Sequence, residues 1–330
     1  MRIALVLGSG GARGYAHIGV IDELKARGHE IVAIAGTSMG AVIGGLEAAD
    51  GLADFSQWAQ SLTYFSMLRQ MDVTLTGAGM VKADRIIEKI NEFCGNARIE
   101  DLSIPFTAVA TDITAYREVW FQRGPLASAI RASMALPGFI TPVVMNDHIL
   151  VDGGVYNPVP VAPTFAVPSD LTVAVSLGGR PGMAEPSVSN ADAADVSDDA
   201  GRLSDGGIGP LRREVFRELA ARFSGPRSSA VSGTESDSAA ADSSVRSAAT
   251  GSKPSAIESA EMTLSTSDVL HMSLTAMQEM IERFRAAATP VNVQITVPRG
   301  VASTYDFHRA SEIIAVGRGL ARDAFDAAGI

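Results

Sequence analysis

The sequence predicts an α/β protein, a three-layer α/β/α sandwich around a central, mostly parallel sheet, and three observations carry that prediction. Short apolar runs alternate with amphipathic stretches at the start of the chain. A glycine-rich turn follows each of the first two runs. Apolar residues make up 46% of the 330 positions and charged residues only 19%, enough to fill a sizeable core. Strands of a parallel sheet read as continuous apolar runs because helices cover both faces.

The first run, Ile3 to Leu7, is a buried strand; its five apolar residues fall short of the ~7–15 that an export signal requires. Tyr15 to Arg27 follows as a helix, Ile31 to Ala35 as a strand and Met39 to Ala49 as a helix, which is the alternation a parallel sheet needs. Further strands are expected at Phe106 to Ile113, Glu118 to Gln122, His148 to Val151 and Leu171 to Leu177. Helices are expected at Asp84 to Phe93 and at Leu126 to Ala135, the latter stopped by Pro137-Gly138.

Beyond Leu177-Gly178-Gly179 the character changes. From Pro226 to Ala260, 19 of 35 residues are Ser or Ala and none is aromatic, so this stretch reads as a disordered linker. Leu211, Val215, Leu219 and Phe223 recur every fourth residue between the arginines 212, 213, 217 and 222, which suits an amphipathic helix over 210–224. Order returns with a helix from Ser267 to Ala287, a strand from Val291 to Val297 ended by Pro298, and a last helix from Phe307 to Ala328. The expected organisation is therefore a folded domain whose main part is 1–180, a low-complexity insert at 181–265, and a closing helix-strand-helix at 266–330.

Charge and cysteine usage exclude several functions. A formal net charge of −10 argues against a polyanion-binding surface, so nucleic acid is not an expected partner. The single cysteine, Cys94, rules out an intramolecular disulfide and a cysteine-based metal cluster. No run of ~20 apolar residues spans a membrane. A cytoplasmic protein is expected, with lipid contact limited to the periphery of the inner membrane face.

The strongest local signal is Gly36-Thr37-Ser38-Met39-Gly40, a G-x-S-x-G pattern between a strand and a helix. A nucleophile elbow needs such a turn, with small neighbours that let the backbone hold the serine in a strained geometry. The alternative is a glycine turn with an incidental serine. The second signal is Gly8-Ser9-Gly10-Gly11-Ala12-Arg13-Gly14, after the first strand, where successive amides can face one anion. It begins like a dinucleotide fingerprint, but Arg13 stands at the third glycine position and the second strand ends without the expected acid. No Lys-Ser/Thr pair makes it a phosphate loop. An oxyanion hole remains, in a crevice shared with Ser38 at the carboxyl ends of adjacent strands.

A serine nucleophile needs a base. Of the five histidines, 17, 29, 148, 271 and 308, only His17 is near the glycine loop, and at that place in a helix packing or capping is its commoner use. Asp152, at the end of an apolar strand and followed by Gly153-Gly154, is the better candidate, because a buried carboxylate is costly unless used or well hydrogen-bonded. An aspartate that only closes a turn is the competing reading.

Gly10 to Gly14, Gly36 to Gly40 and Asp152-Gly153-Gly154, in this order and context, resemble the patatin-like phospholipases, especially small bacterial members. Ala110-Thr111-Asp112, the segment Ile130 to Gly138 and the closing stretch from Asp306-Phe307 to Ala324 share the resemblance, which spans roughly 1–180 and 266–325. It implies a Ser-Asp dyad with Ser38 as nucleophile and Asp152 as general base. The amides of Gly10, Gly11 and Ala12 would form the oxyanion hole with Arg13 in support, and Gly8, Gly14, Gly36, Gly40, Gly153 and Gly154 would shape the motifs. No metal and no cofactor are implied. Ser9 stands where many relatives carry glycine, and 181–265 has no counterpart. The implied activity is hydrolysis of lipid esters through an acyl-enzyme. An esterase or thioesterase for soluble substrates, and an idle acyl- or anion-binding module, are the alternatives. Met67, Met71, Met80, Met134 and Met145 suit an acyl groove or simple core packing. Oligomeric state is not encoded in any visible pattern.

Overall fold

A computed structural model of the chain describes residues 1–66, 82–179 and 266–330. The insert expected at 181–265, its linker, the helix expected over 210–224, and Met67, Met71 and Met80 lie outside the described residues.

The described chain builds one eight-stranded mixed sheet. Strand β1 (Arg2–Leu7) lies between β2 (Glu30–Thr37) and β7 (Leu171–Gly179), and β8 (Val293–Pro298) joins β7; all of these pairings are parallel. Strand β3 (Phe106–Asp112) pairs parallel with β2 and antiparallel with β4 (Arg117–Phe121) and β6 (His148–Asp152). A short β5 (Val143–Met145), not foreseen from the sequence, pairs with β6.

One detail of register builds the site. Residues 106–109 of β3 pair with β2, while Ala110, Thr111 and Asp112 pair with β6. Because β4 occupies the opposite edge over 108–112, β2 and β6 share one edge of β3 end to end. Where β2 stops, β6 arrives from the other direction.

Helices α1 (Ala16–Ala26), α2 (Met39–Ala48), α3 (Leu52–Ser61), α4 (Asp84–Cys94), α5 (Leu126–Ser133) and α7 (Ala310–Ala328) enclose the main core with the Ile3, Leu5 and Leu7 face of β1. Helices α1 and α7 cross at glycines: a Cβ on Gly19 would lie 2.1 Å from the Ile314 carbonyl oxygen, and one on Gly317 2.1 Å from that of Ala16. Val6 and Ala174, on the other face, pack with Val161. There the segment 153–167 and α6 (Thr266–Ala288) form the third layer, and α6 reaches Ser176 of β7 through Glu282 and Glu118 of β4 through Arg285. The first and last helices begin later than expected, each preceded by a 3₁₀ turn, at Gly11–Tyr15 and Phe307–Arg309. Glycines in the first case, and a turn closed by Asp306 in the second, favour the tighter winding.

Candidate active site

Ser38 stands between β2 and α2 with φ 57° and ψ −122°, a conformation costly for any residue with a side chain. The turn closes this sharply because neither flank has a Cβ: one on Gly36 would meet the Gly40 carbonyl oxygen at 2.4 Å, and one on Gly40 would meet that of Leu7 at 2.0 Å. The Ser38 amide donates to Ser133 Oγ at 2.9 Å, and Ser133 Oγ donates to the Val109 carbonyl at 2.6 Å. Thr37 Oγ1 donates to the Asn157 carbonyl at 2.9 Å. The elbow is thus tied to α5, β3 and the turn after β6.

Asp152 is the last residue of β6, opposite Ala110, and only 2% exposed. Its amide donates to the Ala135 carbonyl at 2.9 Å. Its carboxylate accepts the Gly154 amide at 2.7 Å and faces the Ser38 hydroxyl. Burial pushes the carboxyl up to about 6 against the opposing pull of the Ser38 hydroxyl and the Gly154 amide. Gly153 lets the turn press on β3, since a Cβ there would lie 2.1 Å from the Val109 carbonyl oxygen.

The glycine loop lies beside them. Gly8 donates to the Val175 carbonyl and Ser9 to that of Pro158, both at 2.9 Å, which pins the loop to β7 and to the segment after β6. Ala12, expected among the oxyanion donors, gives its amide to the Thr304 carbonyl at 3.0 Å. Gly10 and Gly11 are left, their amides outside the bonds that anchor the loop. Gly11, with φ 58°, packs on Thr304 so closely that a Cβ would fall 2.5 Å from it. Arg13 reaches back to the Gly10 carbonyl, Nε donating at 3.3 Å, and its pKa is lowered to about 10, first by burial and then by Arg299.

His17 is fully buried and its Nε2 donates to the Gly8 carbonyl at 2.9 Å, with burial holding the ring down to about 4. It is a neutral strut under the glycine loop. Sequence reasoning singled out neither Ser133 nor Thr304 individually; Ser133 lay inside a segment flagged as a whole, and nothing local marks Thr304 as a partner of Ala12.

Ser38, Gly10, Gly11 and Asp152 open on one cleft. Its apolar arm is lined by Val42, Phe55, Trp58, Ile90, Met134 and Phe139, and its polar arm by Arg13, Gln278, Glu279, Glu282 and Arg299. Arg299 pairs with Glu279 at 3.2 Å, and burial raises the Glu282 carboxyl. Met145, 40% exposed, is not among the cleft residues. The arrangement can generate a serine alkoxide equivalent, hold an oxyanion and accommodate an apolar chain.

A family model described as "Patatin-like phospholipase" matches residues 5–165. An uncharacterized NTE family protein of Mycobacterium tuberculosis is 41% identical over 335 aligned residues, covering 99% of this chain and 92% of its own. Patatin-like phospholipase domain-containing protein 6 of Homo sapiens is 35% identical over 186 residues, 54% of this chain and 13% of that protein. Among solved structures, that of VipD from Legionella pneumophila aligns with a TM-score of 0.43 at 12% identity, covering 99% of this chain and 66% of that one.

Proposed function

The chain belongs to the patatin-like phospholipase family, whose members' name implies hydrolysis of lipid acyl esters, and from that premise we propose that Ser38 and Asp152 are its catalytic dyad. The observation that carries the proposal is that the Ser38 hydroxyl, on its strained elbow, faces the buried Asp152 carboxylate beside the Gly10 and Gly11 amides, which take no part in anchoring the loop.

Asp152 takes the proton of Ser38 Oγ as the oxygen attacks the acyl carbonyl carbon. The carbonyl π electrons move onto oxygen, and the Gly10 and Gly11 amides, at the mouth of a helical turn, hold that oxyanion. Collapse expels the alcohol, which leaves with the proton from Asp152, and the acyl group stays on Ser38. Water then gives a proton to Asp152 and attacks the acyl-enzyme; the second collapse releases the acid and returns the proton to Ser38 Oγ. Burial favours Asp152 in this role because a carboxylate poised near pH 6 is a stronger base than one at the usual value of 3.8.

The apolar arm of the cleft supports a lipid acyl chain as substrate, with Val42, Ile90 and Met134 nearest in kind to the methylene groups they would cover. The test is hydrolysis of p-nitrophenyl esters from acetate to palmitate, and of a lysophospholipid, by the wild type, Ser38→Ala and Asp152→Asn. Both variants should lose roughly a thousandfold in kcat. Activity that survives either substitution would overturn the dyad. An optimum at acetate with no lysophospholipid turnover would favour an esterase for soluble substrates.

A further inference from the structure

Helix α6 carries its polarity in reverse. A helix lying on a sheet ordinarily buries its apolar stripe and turns its charges to water. In α6, Gln278, Glu279 and Glu282 face the cleft, where Glu279 pairs with Arg299 and Glu282 lies against β7, its Oε2 3.0 Å from where a Cβ on Gly178 would stand. On the far side Leu270, Met277 and Phe284 recur at every seventh residue with Met280 among them, and they are 65%, 56%, 72% and 52% exposed. At about 3.6 residues per turn the two sets lie on opposite sides of the helix. The margins of the apolar stripe carry Arg283, which is exposed, and Arg285, which also contacts Glu118. Both glutamates of the helix are turned away.

We infer that the outer face of α6 docks on an anionic lipid surface, with Leu270, Met277, Met280 and Phe284 entering the interface and the two arginines at headgroup level. Apolar centre, cationic margins and averted acids are the pattern of a helix that lies in the plane of a bilayer. A second copy of the chain fits the face less well, because it would bring its own arginines against these. Among the described residues no helix is long and apolar enough to cross a membrane, so the contact is in-plane. The inner face of the same helix lines the cleft with Ser38, so docking brings that cleft to the lipid. This use of the docked state rests on the proposed hydrolase reading; the docking itself does not.

The experiment uses the full chain with Ser38→Ala, so that vesicles are not consumed. Co-sedimentation is measured with phosphatidylcholine vesicles and with phosphatidylcholine–phosphatidylglycerol vesicles, for this protein and for versions carrying Met277→Gln with Phe284→Ser, or Arg283→Glu. The expected result is binding to the mixed vesicles, weakened about tenfold or more by either change, with melting temperatures that stay close to the parent's. Absence of binding to the mixed vesicles, or binding unchanged by the Met277 and Phe284 substitutions, overturns the inference. A dimer of the parent that the same substitutions dissociate also overturns it, in favour of a second copy on this face. If vesicles bind as expected while the Ser38-intact protein hydrolyses no ester, the hydrolase reading fails and the docking stands.

Discussion

The backbone amide of Ser38 is held by the hydroxyl of Ser133, at 2.9 Å, rather than by another backbone group. The same hydroxyl donates to Val109 at 2.6 Å, so one side-chain oxygen spans the end of β2 and the middle of β3. Ser133→Ala would strand a buried carbonyl and an amide at the elbow. It should destabilise the fold by about 1–3 kcal/mol and lower kcat/KM roughly tenfold through misplacement of Ser38. Thermal melts and ester kinetics on the same preparation check both; a melt unchanged from wild type would contradict the bridging role.

The strain at Ser38 gives a second expectation. Ser38→Gly and Ser38→Ala both remove the nucleophile, yet only glycine is at ease at φ 57°. The glycine variant should be the more stable of the two by about 1 kcal/mol, read from denaturant unfolding. Equal stability would mean that the elbow is not strained.

Asp152 sets the pH dependence. As a base it must be ionised, so kcat/KM should rise with pH through about 6 and level off above it. Stability runs the opposite way. The folded carboxyl keeps its proton up to about pH 6, whereas the unfolded one loses it near 3.8, so the fold loses stability as pH rises through that window. Asp152→Asn should therefore be inactive yet melt above the wild type at pH 8, by an amount on the order of 3 kcal/mol, with the advantage gone below pH 4. A rate profile flat from pH 5 to 8 would sink the assignment of Asp152 as base.

Gly40 leaves no room for a side chain, since a Cβ would sit 2.0 Å from the Leu7 carbonyl oxygen. Gly40→Ala should cost more than about 3 kcal/mol, visible as insoluble expression or a collapsed melting transition. A soluble protein with wild-type stability would mean that β1 and α2 can separate at little cost.

The residues that local rules govern were legible in the sequence. Ser38 and Asp152 each sit at a strand end flanked by glycine, and apolar runs marked β1, β2, β3 and β7. Contacts between distant segments were not legible. Nothing near Ala12 announces that Thr304 will take its amide, and β5, three residues long, is too short for any pattern. Nor does alternation reveal that β6 would meet β2 along one edge of β3; that follows from which strands pair, a choice made by the whole sheet. Helix α3 begins with no side-chain cap, so no start signal marked it, although its buried Leu52, Phe55 and Ala59 fall at helical spacing.

The glycine crossing of α1 and α7 bears on how the protein is made. Helix α1, Ala16–Ala26, is translated about 300 residues before its partner, Ala310–Ala328. At about 5–20 residues per second, the flank of Gly19 waits roughly 15–60 s for the surface that will cover it. During translation that groove is a bare apolar seam on a nascent chain, a surface that holding chaperones would be expected to guard until α7 closes it.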